Sequence, residues 1–182
     1  MAQMFDHTLD AVKGWFHMAA LDFTAKLSDT ETVTAYAGRV VHLDDDGEFV
    51  LGCKGSQMPI FLLQNEGDSD VSNAGGTTWY PIGPDGNMTG LVGKGAYELE
   101  TTEYDSSSAT DYVPNQLLKA INTDGNADKG KLTNESISTL ENGGSNPTAI
   151  VGVVSRAPRK RQSDRSLVLS FWPVYKPGKT GY

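Results

Sequence analysis

Cysteine is nearly absent from this 182-residue chain: Cys53 is the only one, so no disulfide can form within it. Its stability therefore does not depend on oxidation, and a reducing compartment is compatible with it. A catalytic thiol needs a lowered pKa and a neighbouring base, whereas a lone cysteine is most often an inert, small apolar residue. We expect Cys53 to be of this inert kind.

Long apolar segments are absent as well. No run approaches the roughly 18 residues of a transmembrane helix, and the N-terminus lacks the basic start and apolar run of a signal peptide. The sequence therefore predicts a soluble protein made in a cytoplasm, with no membrane partner.

Motifs for catalysis and metal binding are scarce. The three histidines, His7, His17 and His42, do not share the i, i+4 spacing with an acidic partner that a metal site uses. There is no serine elbow, and no carboxylate pair has a specific spacing for acid–base chemistry. We predict that the chain is not an enzyme and binds no cofactor, and a hydrolase with an Asp/Glu pair is the weaker alternative.

Basic residues are fewer than acidic ones, 15 against 23, and the net charge is −8. They are also segregated: residues 156–182 hold seven basic residues and one acidic residue, a local charge of +6, which leaves −14 on the other 155 residues. An acidic chain repels the nucleic-acid backbone, so we expect no nucleic-acid partner. The basic C-terminal end is suited to an acidic protein surface.

Turn residues are abundant, with 20 glycines and 8 prolines, and they favour many short strands over long helices. The clearest element spans 33–58, VTAYAGRVVHLDDDGEFVLGCKGSQM, in which two β-rich runs flank an Asp-Gly turn. Gly47 can take a positive φ, and an aspartate side chain can accept hydrogen bonds from the turn backbone. We predict a hairpin here, a buried strand at 58–63 and a strand at 96–102. Residues 113–121 form either a short helix or an edge strand.

The C-terminal third contains two further β-prone runs, 148–154 (TAIVGVV) and 166–174 (SLVLSFWPV). Between them lies a basic connection, RAPRKRQSDR, in which Pro158 helps to end the first strand. We predict a β-hairpin of core strands with a long, positively charged loop, and we expect Trp172 to pack in the core or at an interface. A charged run is most often solvated surface, but arginine-rich loops also bind acidic partners.

The N-terminal segment, 1–32, has apolar residues at steps of three and four, which is a helical period. We predict an N-terminal arm or short amphipathic helix here, followed by a β-rich domain with long polar loops at 33–182. Two alternatives stay open for the apolar stripe: it packs on its own domain, or it reaches a neighbouring subunit or a host surface. The stripe consists of Phe5, Leu9, Val12, Trp15 and Phe16.

Residues 124–135 match part of a calcium-binding loop. The template's oxygen ligands at positions 1, 3, 5 and 12 are present, but positions 6 and 8, which require glycine and an apolar residue, hold Lys129 and Lys131. A lysine beside the cation opposes binding, so an ordinary turn is the favoured interpretation and calcium binding the alternative. The four candidate ligands are Asp124, Asn126, Asp128 and Glu135.

Four segments together carry a resemblance to a known group of proteins: AGRVVHLDDDGEFVLG, MPIFLLQN, PTAIVGVVSRAP and SLVLSFWPVYKPG. They resemble the small capsid decoration, or cement, proteins of tailed bacteriophages, which also tend to open with a valine-glycine strand leading into an LDxDG turn. The resemblance implies a mainly β fold, a compact antiparallel β-barrel or β-tulip-like domain. Such proteins are often trimeric and sit outside the head, where major capsid proteins meet.

The function implied by this resemblance is that of a non-enzymatic structural virion protein, which binds the outside of an assembled capsid and stabilises contacts between major capsid proteins. Its partner would be the major capsid protein, and it would form a homo-oligomer such as a trimer and be made in the host cytoplasm. A carbohydrate- or small-ligand-binding β-domain is the alternative, with Trp79, Tyr80 and Tyr112 as stacking residues. Charge and spacing give ten candidate capsid contacts: Phe5, Leu9, Val12, Trp15, Phe16, Arg156, Arg159, Lys160, Arg161 and Arg165.

Overall fold

The computed structural model describes residues 9–13, 21–55, 57–63, 65–66, 88–92, 98–108, 111–134, 149–162 and 164–176. This part of the chain is mainly β, and its one helical element is a three-residue 3-10 turn at Ser106–Ser108. The strands are β1 (Leu9–Lys13), β2 (Leu21–Ala25), β3 (Val40–Leu43), β4 (Phe49–Leu51), β5 (Ile60–Leu62), β6 (Met88–Val92), β7 (Glu98–Thr101), β8 (Leu117–Ala120), β9 (Leu132–Thr133), β10 (Ile150–Lys160) and β11 (Leu167–Lys176).

These strands form two antiparallel sheets. The six-stranded sheet has the order β1-β7-β11-β10-β8-β9, and the five-stranded sheet has the order β2-β6-β5-β3-β4. The predicted mainly β, antiparallel fold is confirmed. Among the described strands no pairing joins one sheet to the other, so the arrangement is that of a β-sandwich rather than a closed barrel.

The hairpin predicted from the Asp-Gly turn is present as β3 and β4. Val41 pairs with Leu51, and Leu43 pairs with Phe49. The turn is built as its composition dictates, because Asp44 Oδ1 accepts the backbone N–H groups of residues 46 (3.0 Å) and 48 (2.8 Å). Gly47 supplies the positive φ, at 78°. The local sequence therefore specifies the turn of this hairpin.

The main core lies between the two sheets. The inward side chains of both sheets meet there, and the rings of Phe61 on β5 and Phe171 on β11 lie 5.3 Å apart. Burial of such aliphatic and aromatic groups is the principal source of stability. The buried members from the strands are Val40, Phe61, Leu91, Leu99, Leu118, Ala120, Leu132, Val151, Val154, Leu169 and Phe171.

The five-stranded sheet is apolar on its other face as well. Ala35 belongs to this second buried cluster, with Leu27 and Val33 packed against it, so the segment that follows β2 covers the sheet. A strand buried on both faces reads as a continuous apolar run, which explains the IFL sequence of β5. The buried strand residues of the cluster are Ala25, Val41, Phe49, Leu51, Ile60, Leu62 and Met88.

The N-terminal segment, predicted as an arm or a short amphipathic helix, has two described stretches, which are not helical but form the strands β1 and β2. β1 pairs with β7 and β2 pairs with β6, so each is an edge strand of a different sheet. Long-range pairing overrides a local helical period in strands of only five residues. Leu9 packs against the core between the sheets, whereas Phe5, Trp15 and Phe16 lie outside the described residues.

A buried ion pair connects the β3 end of the five-stranded sheet to the segment after β7. Arg39 Nε lies 2.7 Å from Glu103 Oε2, and both side chains are almost completely buried. Arg39 also donates to the Lys129 carbonyl at 3.1 Å, and its guanidinium lies over the Tyr36 ring. These added partners offset the desolvation of the two charges.

Candidate functional site

The basic segment expected to be a loop belongs to the long β10–β11 hairpin. β10 continues to Lys160 and β11 begins at Leu167, so the connection is short and the long-loop prediction is wrong. Register shifts between Val154 and Arg156, and between Arg156 and Arg159, mark bulges that accommodate Pro158. Among the described strands, β8 pairs with β10 only as far as Val153, so the proline lies beyond that pairing, where its missing N–H costs little.

The outer face of the six-stranded sheet is the face turned away from the core. Leu169 and Phe171 of β11 point into the core, so by alternation Val168, Ser170 and Trp172 lie on the outer face. Val168 and Ser170 are nevertheless fully buried. Long side chains from the neighbouring strands fold across β11 and cover Val168 and Ser170.

Arg156 on β10 reaches across β11 to Glu98 on β7. Its Nε donates to Glu98 Oε1 at 2.8 Å and its second nitrogen to Glu98 Oε2 at 2.6 Å, which is a two-point contact. The Ser155 hydroxyl also donates to Glu98 Oε1, at 2.6 Å. The hydrogen bond to Glu98 raises the pKa of Arg156. The buried carboxylate is therefore fully engaged by groups of this chain.

A second ion pair lies beside the first. Arg159 donates to Glu100 Oε1, which also accepts the Ser170 hydroxyl at 3.1 Å. Glu100 is buried, and Arg159 is partly exposed. Two of the three predicted capsid contacts on β10, Arg156 and Arg159, thus neutralise two buried carboxylates.

The connection between β10 and β11 is held by a third pair, Arg161 with Asp164. Asp164 Oδ1 also accepts the Ser166 backbone N–H at 3.0 Å. The hydrogen bond from Arg161, followed by that from Ser166, holds the pKa of Asp164 well below its usual range. Arg165 adopts the left-handed region with φ of 63°. The described residues of the short connection are therefore held by hydrogen bonds within it.

Two of the five predicted basic contacts remain accessible. Lys160 and Arg165 are exposed, and within the described ranges neither has an ion-pair partner. We call this pair the basic tip. The structure thus brings the basic residues together on one hairpin, but it gives three of them intramolecular partners and leaves the basic tip for outside contacts.

Next to the arginine pairs lies a row of apolar side chains that sequence reasoning missed. Leu117 on β8 pairs with Val153 on β10, and Val153 pairs with Trp172 on β11, so all three lie on the outer face. Trp172 is 44% exposed and Leu117 is 38% exposed. We call these three residues the apolar row. The sequence of β11 does not reveal it, because apolar residues occupy both faces of that strand.

The calcium-like loop is an ordinary turn whose carboxylates bind lysines. Lys129 Nζ lies 2.9 Å from Asp124 Oδ1 and 2.5 Å from Glu31 Oε1, and Lys131 Nζ lies 2.6 Å from Asp128 Oδ1. The hydrogen bond from Lys129 lowers the pKa of Asp124. In the described ranges no group of three or more His, Cys, Asp or Glu side chains is placed to hold a metal ion, and Glu135 lies outside them.

Tyr112, expected to stack on a sugar in the alternative function, is a core residue. Its ring packs edge-on against Tyr104 at 5.5 Å, and its hydroxyl donates to the Asp105 carbonyl at 3.0 Å. The stacking role is therefore wrong for Tyr112, and Trp79 and Tyr80 lie outside the described residues.

Cys53 is buried, as its inert character requires. Its thiol donates to the Gln57 carbonyl at 3.1 Å. Burial raises the pKa of Cys53 to about 12, so the thiolate that would act as a nucleophile is not populated near neutral pH.

Comparison with known proteins gives no match: neither a protein-family model, nor a curated protein, nor a solved structure is significantly similar to this chain. In the part of the chain that the structure describes, no helix is long and apolar enough to cross a membrane. The hairpin β10–β11 and the apolar row are therefore the candidate contact surfaces of this chain.

Proposed function

We propose that this chain is a non-enzymatic structural virion protein that binds the outside of an assembled phage capsid and stabilises contacts between major capsid proteins. The observation that carries the proposal is the basic tip, which an ordered hairpin presents on a chain of net charge −8. The sequence resemblance to capsid decoration proteins supports it, and an antiparallel β-sandwich suits a protein of that kind.

The rigidity of the hairpin favours attachment. Three ion pairs hold it: two across β11 and one within the turn. A preorganised surface loses little conformational entropy on binding, so modest contacts can give useful affinity. On a shell with many identical sites, contacts from linked copies add, because each bound copy holds its neighbours at high effective concentration.

The partner in this proposal is the major capsid protein, and the location is the outer surface of the virion. Lys160 and Arg165 bind acidic patches of the shell, and the electrostatic attraction also speeds association. The copies act as a homo-oligomer, with a trimer as the first arrangement to test. Neither nucleic acid nor membrane is a partner in this account.

Co-sedimentation with intact and emptied phage heads tests the role of the basic tip. Replacing all five basic residues would leave the buried Glu98 and Glu100 without a compensating charge. We therefore replace only the basic tip, with Lys160→Ser and Arg165→Asn. Asparagine is chosen because it tolerates the positive φ of position 165. A matched control, Lys26→Ser with Lys54→Asn, removes two exposed lysines from elsewhere on the chain.

We expect the variant Lys160→Ser with Arg165→Asn, the tip variant, to bind heads more weakly than the wild type. The control should bind as the wild type does. Raised salt should weaken wild-type binding, because exposed charges are screened. Equal losses in both variants would show that only net charge matters. Undiminished occupancy of the tip variant, or of the wild type at raised salt, contradicts the role of the basic tip.

A further inference from the structure

The apolar row is an unusual feature for the outer face of a sheet. Leu117, Val153 and Trp172 come from three adjacent strands and lie side by side in register. Trp172 and Leu117 are among the large hydrophobic residues that the described part of the chain leaves exposed. Tryptophan is the residue most enriched among those that dominate binding energy, because it buries a large area with few rotatable bonds. The row is therefore a candidate contact surface.

Basic side chains lie on this face on both sides of the apolar row: Lys119 of β8, paired with Ile150 of β10, on the side away from the turn, and a larger group toward the turn. The next outer-facing positions toward the turn hold Arg156 and Arg159, both partly exposed beside their glutamates. Beyond them lies the basic tip. At about 3.4 Å per residue, the row and the start of the turn at Leu167 are separated by about 17 Å. A complementary surface has an apolar pocket with carboxylates to one side of it.

We propose that the apolar row is the shell-binding face, with Trp172 inserting into an apolar pocket on the outer surface of the major capsid protein. Carboxylates on the side of that pocket nearest the turn contact the basic tip. This inference rests on the proposed function and identifies the part of the chain that performs it. Trp172 supplies most of the affinity, and Lys160 and Arg165 set the orientation.

A shell fits this face better than a second copy of the chain. Among the described side chains, the outer face is not self-complementary in charge, because its carboxylates Glu98 and Glu100 are buried and bonded to Arg156 and Arg159. Three partly exposed side chains also fall well short of the about 800 Å² per partner that a stable isolated complex buries. A small face is sufficient where many attachments on one particle act together.

The test measures binding of three single variants to intact heads by co-sedimentation, with folding checked by circular dichroism and urea unfolding. Trp172→Ala and Leu117→Ser alter the apolar row. Met58→Ser is the matched control, since Met58 is 47% exposed and lies between β4 and β5 of the other sheet. We expect Trp172→Ala to weaken binding about 30-fold or more, as loss of a dominant contact does. Leu117→Ser should weaken it several-fold, and Met58→Ser should leave it unchanged.

The outcomes separate the inference from the proposed function. If the wild type binds no head, both are overturned. If the wild type binds and folded Trp172→Ala or Leu117→Ser binds equally well, only the inference is overturned. Should Trp172→Ala fail to fold, Leu117→Ser decides in the same way. A change of solution mass in Trp172→Ala without loss of head binding would make the row a contact between copies and would overturn the shell-binding face.

Discussion

Arg156 on β10 and Glu98 on β7 are joined by two hydrogen bonds across the intervening strand β11. Glu98 is almost fully buried, so Arg156 supplies the charge that compensates it. We expect Arg156→Ala to lower the free energy of unfolding by about 2 kcal/mol, less than for a fully buried pair because Arg156 is partly exposed. Urea unfolding at pH 7 measures this.

Lys160→Ala is the control for that prediction, because Lys160 is exposed on the same hairpin and its loss should change stability by less than about 0.5 kcal/mol. Adding Glu98→Gln to Arg156→Ala should recover part of the loss, since the uncompensated carboxylate is removed. Equal stabilities of Arg156→Ala and Lys160→Ala would show that the pair contributes nothing.

Removal of the hydroxyl groups of Tyr104 and Tyr112 should change the free energy of unfolding in opposite directions. Within the part of the chain that the structure describes, the Tyr104 hydroxyl is buried with no hydrogen-bond partner, and burial raises the pKa of Tyr104 to about 12. Tyr112 donates to the Asp105 carbonyl. We expect Tyr104→Phe to raise the free energy of unfolding by about 0.5 kcal/mol or more, and Tyr112→Phe to lower it by about 1 kcal/mol. Thermal and urea unfolding of the two variants test this prediction. A lower stability of Tyr104→Phe than of the wild type would show that the Tyr104 hydroxyl has a hydrogen-bond partner.

We expect His42 to make the free energy of unfolding fall at mildly acidic pH. It is buried and its Nδ1 donates to the Gly52 carbonyl at 2.9 Å, and burial lowers its pKa below the usual value of 6.5. The folded state therefore binds the proton less tightly than the unfolded state. The contribution of the neutral ring is present above about pH 6.5 and is lost as the pH falls from there through the folded-state pKa.

The variant His42→Asn tests this, because its side-chain amide keeps a donor for Gly52 but does not titrate. Urea unfolding at pH 7.5 and 5.5 should show a larger decrease of stability in the wild type than in the variant. NMR titration of the His42 ring should give a pKa below 6.5. An identical pH dependence in the two proteins would exclude His42 as its source.

The sequence predicts those elements whose signals are local. The β3–β4 hairpin follows from Asp44 and Gly47, and the buried strand β5 follows from a short apolar run. The undecided segment 113–121 contains strand β8, which is not an edge because β10 and β9 pair on either side of it. Which strands are neighbours depends on distant residues, so spacing alone could not decide it.

The candidate site was less predictable for the same reason. An arginine-rich sequence that contains Pro158 is typical of a loop. Its continuation as a strand is explained by Glu98 and Glu100, which lie two strands away in the sheet. The apolar row likewise exists because of register between β8, β10 and β11. The sequence did predict that the basic residues gather in one place.

The number of copies bound per head at saturation tests the central proposal most directly. Heads are mixed with increasing amounts of the wild-type chain and sedimented, and the bound copies are counted, while light scattering gives the solution mass of the free chain. We expect saturation at a fixed number of copies set by the symmetry of the shell. Failure to sediment with any shell, or binding that increases without saturation, would contradict a capsid-binding structural role.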